Sequence, residues 1–142
     1  MEQNARAMVP VESVWNQLNG FYMIPTSITD PPFDGLGADA WILYGEMFSL
    51  LRVSFSKGKR WRGKNGRPCV MYSWERAAER LGCGRNKAGK VLQKLIGSGL
   101  VEVEKQGANQ PNRYYLNIPR PYGPNEVEPA WQEQPWEDYF AV

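Results

Sequence analysis

Three features of the chain predict an α+β, helix-rich fold. Two amphipathic segments, 74–81 and 85–97, flank the short turn Gly82-Cys83-Gly84, as in a helix-turn-helix. Residues 100–105 alternate apolar and polar, and 113–116 return as a partner strand across a polar, glycine-containing turn. The second helix is apolar on one face and basic on the other. Together they predict a winged helix-turn-helix with a two- or three-stranded wing sheet, an extended N-terminal arm and a proline-rich, acidic and aromatic C-terminal tail.

Residues 1–20 have mixed composition and no sustained period, so a flexible arm is expected there. Phe21-Tyr-Met-Ile-Pro25 has strand-type residues closed by proline and reads as a short strand or extended anchor. Residues 27–37 form a loop, with Pro31-Pro32 and Asp34-Gly35 as turn chemistry. Residues 38–51 predict the first long helix, on the stripe Ala40, Leu43, Tyr44, Met47, Phe48 and Leu51. Asp39 sits near its start, where the helix dipole favours a carboxylate. This stripe reads as core, with no ligand.

Residues 56–67 carry six cations in twelve positions, Lys57, Lys59, Arg60, Arg62, Lys64 and Arg67, with Trp61 among them. The segment reads as a loop or a hairpin turning at Asn65-Gly66. It lies along phosphates or is a solvated loop. A short strand over 69–72 leads to Ser73, a good N-cap for the helix 74–81, whose apolar positions are Trp74, Ala77, Ala78 and Leu81. Gly84 is a second-rank cap for the next helix. That helix buries Ala88, Val91, Leu92, Leu95 and Ile96, exposes Arg85, Asn86, Lys87, Lys90, Gln93 and Lys94, and stops at Gly97 or Gly99. In the tail, 119–142, five prolines alternate with Trp131, Trp136, Tyr139 and Phe140. The tail is therefore extended and docks either on this domain or on a partner.

At 142 residues the chain holds one domain, 21–118, between the arm and the tail. It contains no histidine, the commonest general base and metal ligand. Two cysteines, Cys69 and Cys83, are too few for a zinc site and read as reduced thiols, Cys83 as a small turn residue packing inward. There is no phosphate-cradling Gly-x-x-x-x-Gly-Lys-Ser/Thr, no paired-carboxylate site and no nucleophile constellation. No enzyme activity, metal or cofactor is expected. No apolar run approaches the ~20 residues that span a bilayer, so no membrane association and a cytoplasmic location are expected.

The net charge of +2 conceals an asymmetry. Residues 52–113 hold fifteen lysines and arginines against four acids, whereas 119–142 hold one arginine against five acids. A basic body points to a polyanionic partner, an acidic tail to a solvated or interacting appendage. Arg85, Asn86 and Lys87 open the second helix, where side chains reach base edges in the major groove of double-stranded DNA. Lys90 and Lys94, further along the same face, suit phosphates, as do Lys57, Lys59, Arg60, Arg62 and Lys64. Lys105, Gln106, Asn109, Asn112 and Arg113 place the wing, 105–113, on backbone or minor groove. Gly89 either leaves room for close approach of DNA or packs against the preceding helix.

An ordered series of residues also resembles the N-terminal domain of RepA-type plasmid replication initiators, the RepA_N family. It runs through Phe21-Tyr-x-Ile-Pro25, Ala40-x-x-Leu43-Tyr44, Arg52-Val-Ser54 and Asn65-Gly66. It continues through Leu81-x-Cys83-x-x-Asn86-Lys87-Ala88, Gly99-Leu-Val-Glu102, Gln106-Gly107, Pro111-Asn112 and Tyr115. The resemblance implies a winged-helix domain of a bacterial, cytoplasmic protein. By that resemblance it is expected to bind repeated sequences at a plasmid origin, usually as a homodimer, and to start replication with proteins of the replication machinery. By position, Asn86 and Lys87 match the start of the family's recognition helix, and Gln106-Gly107 with Pro111-Asn112 match its wing. The family often has Ser where Gly84 stands, and its central loop is more mixed in charge than 56–67. Its members also continue into a C-terminal domain for which this chain has no room, so an N-terminal fragment or a short member is expected. Two other functions fit the same residues: a winged-helix transcriptional or copy-number regulator, and a protein-interaction module.

Overall fold

The computed structural model describes residues 7–18, 20–56 and 62–119. Its regular elements are α1 (Ala38–Ser56), β1 (Val70–Tyr72), α2 (Trp74–Leu81), α3 (Arg85–Ser98), β2 (Val101–Glu104) and β3 (Asn112–Leu116). Helix α1 begins after Gly37, whose φ of 90° breaks the preceding 3-10 turn. It runs past Leu51, the end of its apolar stripe, because no breaker stands between Arg52 and Ser56. Ala40, Leu43, Tyr44, Met47 and Leu51 are buried as the spacing predicts, and the Tyr44 hydroxyl donates to the Asn117 carbonyl at 2.7 Å.

Segment 21–25 forms no strand. It lies across α1 as an extended anchor, the other form its residues allow. Ile24 and Tyr22 sit so close to Gly45 that a Cβ there would come within 3.0 Å and 3.1 Å of them. The loop that follows contains two 3-10 helices, Thr26–Thr29 and Asp34–Leu36, and buries Ile28. In the N-terminal arm, Val11–Gln17 forms a 3-10 helix with no buried residue.

Ser73 caps α2, its Oγ accepting the Arg76 N–H at 3.0 Å, and Gly82 ends that helix in the left-handed region at φ 66°. Helix α3 ends the same way at Gly99, φ 86°, while Gly97 stays within it. The three strands form one antiparallel sheet in the order β1-β3-β2. Its register pairs Val70 and Val103 with Tyr114, Val101 with Leu116, Glu102 with Tyr115, and Glu104 and Met71 with Arg113. Because facing residues share a side, Val70, Val101, Val103, Tyr114 and Leu116 face the helices and complete the core with Leu92, Leu95 and Leu100. Met71, Glu102, Glu104, Arg113 and Tyr115 lie on the outer side.

Arg62 and Pro68 bridge antiparallel across the expected Asn65-Gly66 turn, with both central residues at positive φ, 56° and 73°. This small hairpin rests on the outer side of the sheet. A Cβ at Gly63 would lie 1.9 Å from the Tyr115 hydroxyl, and that hydroxyl accepts the Lys64 N–H at 2.9 Å.

Candidate nucleic-acid interface

Helix α3 is seated by Ala88, Gly89, Val91, Leu92 and Leu95, all buried. At 3.6 residues per turn, the opposite face is the exposed stripe Asn86, Lys90, Gln93 and Gly97. The three opening residues diverge from it. Asn86 faces outward within the stripe. Lys87 turns to one flank, where with Lys90 and Lys94 it lines a cleft of ≈ 480 Å³ against Leu36–Asp39 at the start of α1. Arg85 turns to the other flank, toward α2 and the wing.

Arg85 is held there by two contacts. Its Nε donates to Glu75 Oε2 at 2.7 Å, and its guanidinium lies 4.9 Å from the Trp74 ring centroid. The Glu75 carboxyl is held below its ordinary range, first by a backbone hydrogen bond and then by Arg85. Arg85, Trp74 and Glu75 line a cleft of ≈ 890 Å³ between the start of α2 and Asn109, Gln110, Pro111 and Asn112 of the wing. Gly89 belongs to the same contact. A Cβ there would fall 2.5 Å from the Trp74 ring, so the glycine serves packing between α2 and α3. The alternative reading, room for DNA at that position, is corrected by its burial.

Of the wing residues, Lys105 and Asn109 are exposed, with Asn109 at the tip in the left-handed region, φ 65°. The other three are half-buried, and Gln106 and Asn112 make hydrogen bonds within the hairpin. Gln106 Nε2 donates to the Pro111 carbonyl at 2.9 Å, closing the loop. Asn112 hydrogen-bonds Tyr114, which partly offsets the upward push of burial on that phenol. Arg113 lies across from Glu104 on the outer side, with its Nε buried and without a hydrogen-bond partner.

The basic loop is divided. Lys57, Lys59 and Arg60, with Trp61, lie outside the described residues. Arg62 donates to the Gly66 carbonyl at 2.9 Å and Lys64 is exposed. Both belong to the hairpin on the outer side of the sheet, so the sheet stands between them and α3 and the structure does not unite them with it. Arg67 is committed to the fold. It donates to Asn117 Oδ1 at 2.6 Å and Glu102 at 3.3 Å, and stacks over Tyr115 at 5.1 Å. The Asn117 hydrogen bond and then Arg67 hold the Glu102 carboxyl low.

Sequence alone assigns no role in the site to Gln93, although it places it on the exposed face, or to Glu46. Gln93 shares the outward stripe with Asn86, seven residues along, and its spacing alone marks it. Glu46 is buried at 3% exposure and accepts from the Tyr72 hydroxyl, Arg76 Nη2 at 3.5 Å and Arg80 Nε at 3.1 Å. This cluster joins α1, β1 and α2 and so fixes the support beneath α3. Its position flanks the apolar stripe of α1, but its partners lie 26 to 34 residues away.

No helix among the described residues is long and apolar enough to cross a membrane. Cys69 is buried and Cys83 half-buried, and neither is in a disulfide. Cys83 packs against the core as its place in the turn implies.

Known proteins are similar to this chain in fold and sequence. The chain resembles an N-terminal domain of a DNA-binding protein (TM-score 0.62, 26% identity, 87% of this chain and 99% of the other). It is similar to a chain of a Rep–DNA complex (TM-score 0.62, 27% identity, 87% of this chain and 99% of the other). An MDR initiator shares the fold at 23% identity, with a TM-score of 0.60 over 80% of this chain and 88% of the other. A 41 kDa protein of Lactobacillus helveticus is 33% identical over 82 residues, which covers 54% of this chain and 23% of that protein. The chain thus corresponds to about a quarter of that relative's length. The family of the replication initiator protein A (RepA) N-terminus matches residues 20–119, and the chain belongs to that family.

Proposed function

We propose that this chain is the DNA-binding domain of a plasmid replication initiator, reading repeated sequences in double-stranded DNA at a plasmid origin. The observation that carries this reading is the outward stripe of α3, Asn86, Lys90, Gln93 and Gly97, presented between two clefts on a rigid seat. A helix of this kind fits the major groove. Asn86 and Gln93 match the donor–acceptor pair of adenine, Lys90 the acceptors of guanine, and Lys87 and Lys94 the phosphates along one flank. Lys105 and Asn109 on the wing reach the adjacent backbone or minor groove. Reading repeats suits a homodimer that hands the origin to replication proteins, and the domain binds and positions without catalysing.

The test is fluorescence-anisotropy binding to duplexes from the protein's own plasmid origin, against shuffled controls across a salt series. Preference for origin DNA that persists at ~150 mM salt supports the reading. If the body neutralises ~6 phosphates, log K against log salt falls with a slope near −5. Equal affinity for all duplexes, lost steeply with salt, leaves only a basic surface. No binding at low salt transfers the function to a protein partner.

A further inference from the structure

Trp74, Glu75, Arg85 and Gly89 form a unit whose construction exceeds what stability requires. The Glu75–Arg85 pair is exposed, with side chains 68% and 59% accessible, and such pairs add little to stability. A carboxylate in a cleft that admits a polyanion also repels it. Its presence is explained if it orients a cation. The ion pair engages Arg85 through Nε, which leaves the Nη1/Nη2 edge for a second partner. Trp74 supplies a flat platform under the guanidinium. The platform is itself fixed, because its ring fills the space a side chain at residue 89 would take.

We infer that Glu75 and Trp74 are positioning residues that hold Arg85 ready to read a guanine from the cleft between α2 and the wing. A planar guanidinium offers two parallel donors to the O6 and N7 of guanine. Locking its plane beforehand lowers the ordering cost of that contact. The inference rests on the proposed DNA-reading function and adds to it a specificity-setting pair outside the outward stripe.

The experiment is a competition binding series on a selected site in which each base pair is varied in turn. It uses the wild type, R85A, E75Q, E75D and the double variant E75Q/R85A. R85A is expected to lose discrimination at one G·C pair by about ten- to a hundredfold. E75Q is expected to lose about three- to tenfold at that same pair, E75D to retain most of it, and the double variant to match R85A. Thermal unfolding should stay unchanged in E75Q, which separates positioning from folding. An E75Q that binds every sequence more tightly with unaltered preference overturns the inference alone, as does an R85A that weakens all duplexes equally. A wild type that binds no duplex overturns the proposed function and the inference with it.

Discussion

Asn86 and Lys94 occupy one helix but different faces of it, and the proposed function gives them different parts of a duplex. Asn86 stands on the outward stripe at the N-terminal turn, and Lys94 on the flank lined with Lys87 and Lys90. Asn86→Ala is therefore expected to reduce discrimination between cognate and altered sites by about 1–3 kcal/mol. Lys94→Ala is expected to weaken cognate and random DNA alike and to lower the salt slope by about 1. Binding of both variants to matched and shuffled duplexes checks this, and parallel losses on the two DNAs for Asn86→Ala would count against a base contact. Gly89→Ala tests the packing at the same scale. The added methyl would meet the Trp74 ring at 2.5 Å, so a destabilisation of about 1–3 kcal/mol is expected. Urea unfolding measures it, and a variant as stable as the wild type would show that the α2–α3 contact tolerates a wider gap.

Among the elements, the two helices of the helix-turn-helix differ in how they begin. Ser73 satisfies the Arg76 N–H at the start of α2, whereas Gly84 has no side chain to do so for α3. Yet Gly84 has an extended backbone, φ −74° and ψ 163°, and open space where a Cβ would go. Ser73→Ala should cost about 1 kcal/mol, and Gly84→Ser should add a few tenths. Thermal melts of the two variants test both signs. A Gly84→Ser variant that melts below the wild type would show that the turn cannot host the cap. The wing shows the same division of labour: Gln106, Asn112 and the Arg67–Glu102–Asn117 cluster hold the hairpin, leaving Lys105 and Asn109 exposed.

For the whole molecule, the absence of histidine removes the group that ordinarily titrates near neutrality. The remaining shifts lie at the two extremes. Glu102 is held below its ordinary 4.5, so its contribution is present above that value and lost as pH falls through the folded pKa. Burial pushes Tyr44, Tyr72 and Tyr114 above their ordinary 10.0 and Cys69 above its ordinary 9.0. Their contributions are present below those values and lost as pH rises through the folded ones. Stability should therefore be nearly flat from about pH 5.5 to 8 and fall on both sides. Urea midpoints across pH 3 to 11 check the profile; a step between pH 6 and 8 would require a titrating group these residues do not supply.

The local elements were legible along the chain. The apolar spacing of Ala40 to Leu51 and of Ala88 to Leu95, the cap at Ser73, the turn at Asn65-Gly66 and the alternation after Leu100 each depend on neighbours within a few positions. Such signals survive in a single chain because helix and strand periods are local. The length of α1 and the unpaired state of 21–25 were less legible, since one depends on the absence of a breaker and the other on packing against α1. Which residues of the basic body remain available depends on contacts made in the folded chain. Arg67 is taken up by Glu102 and Asn117, 35 and 50 residues away. Arg85 is directed into the cleft beside the wing by Glu75, ten residues away on another helix, and Gly89 is covered by Trp74. A charge in the sequence carries no record of the partner that folding brings to it, because that partner is set by how helices and sheet stack rather than by spacing along the chain.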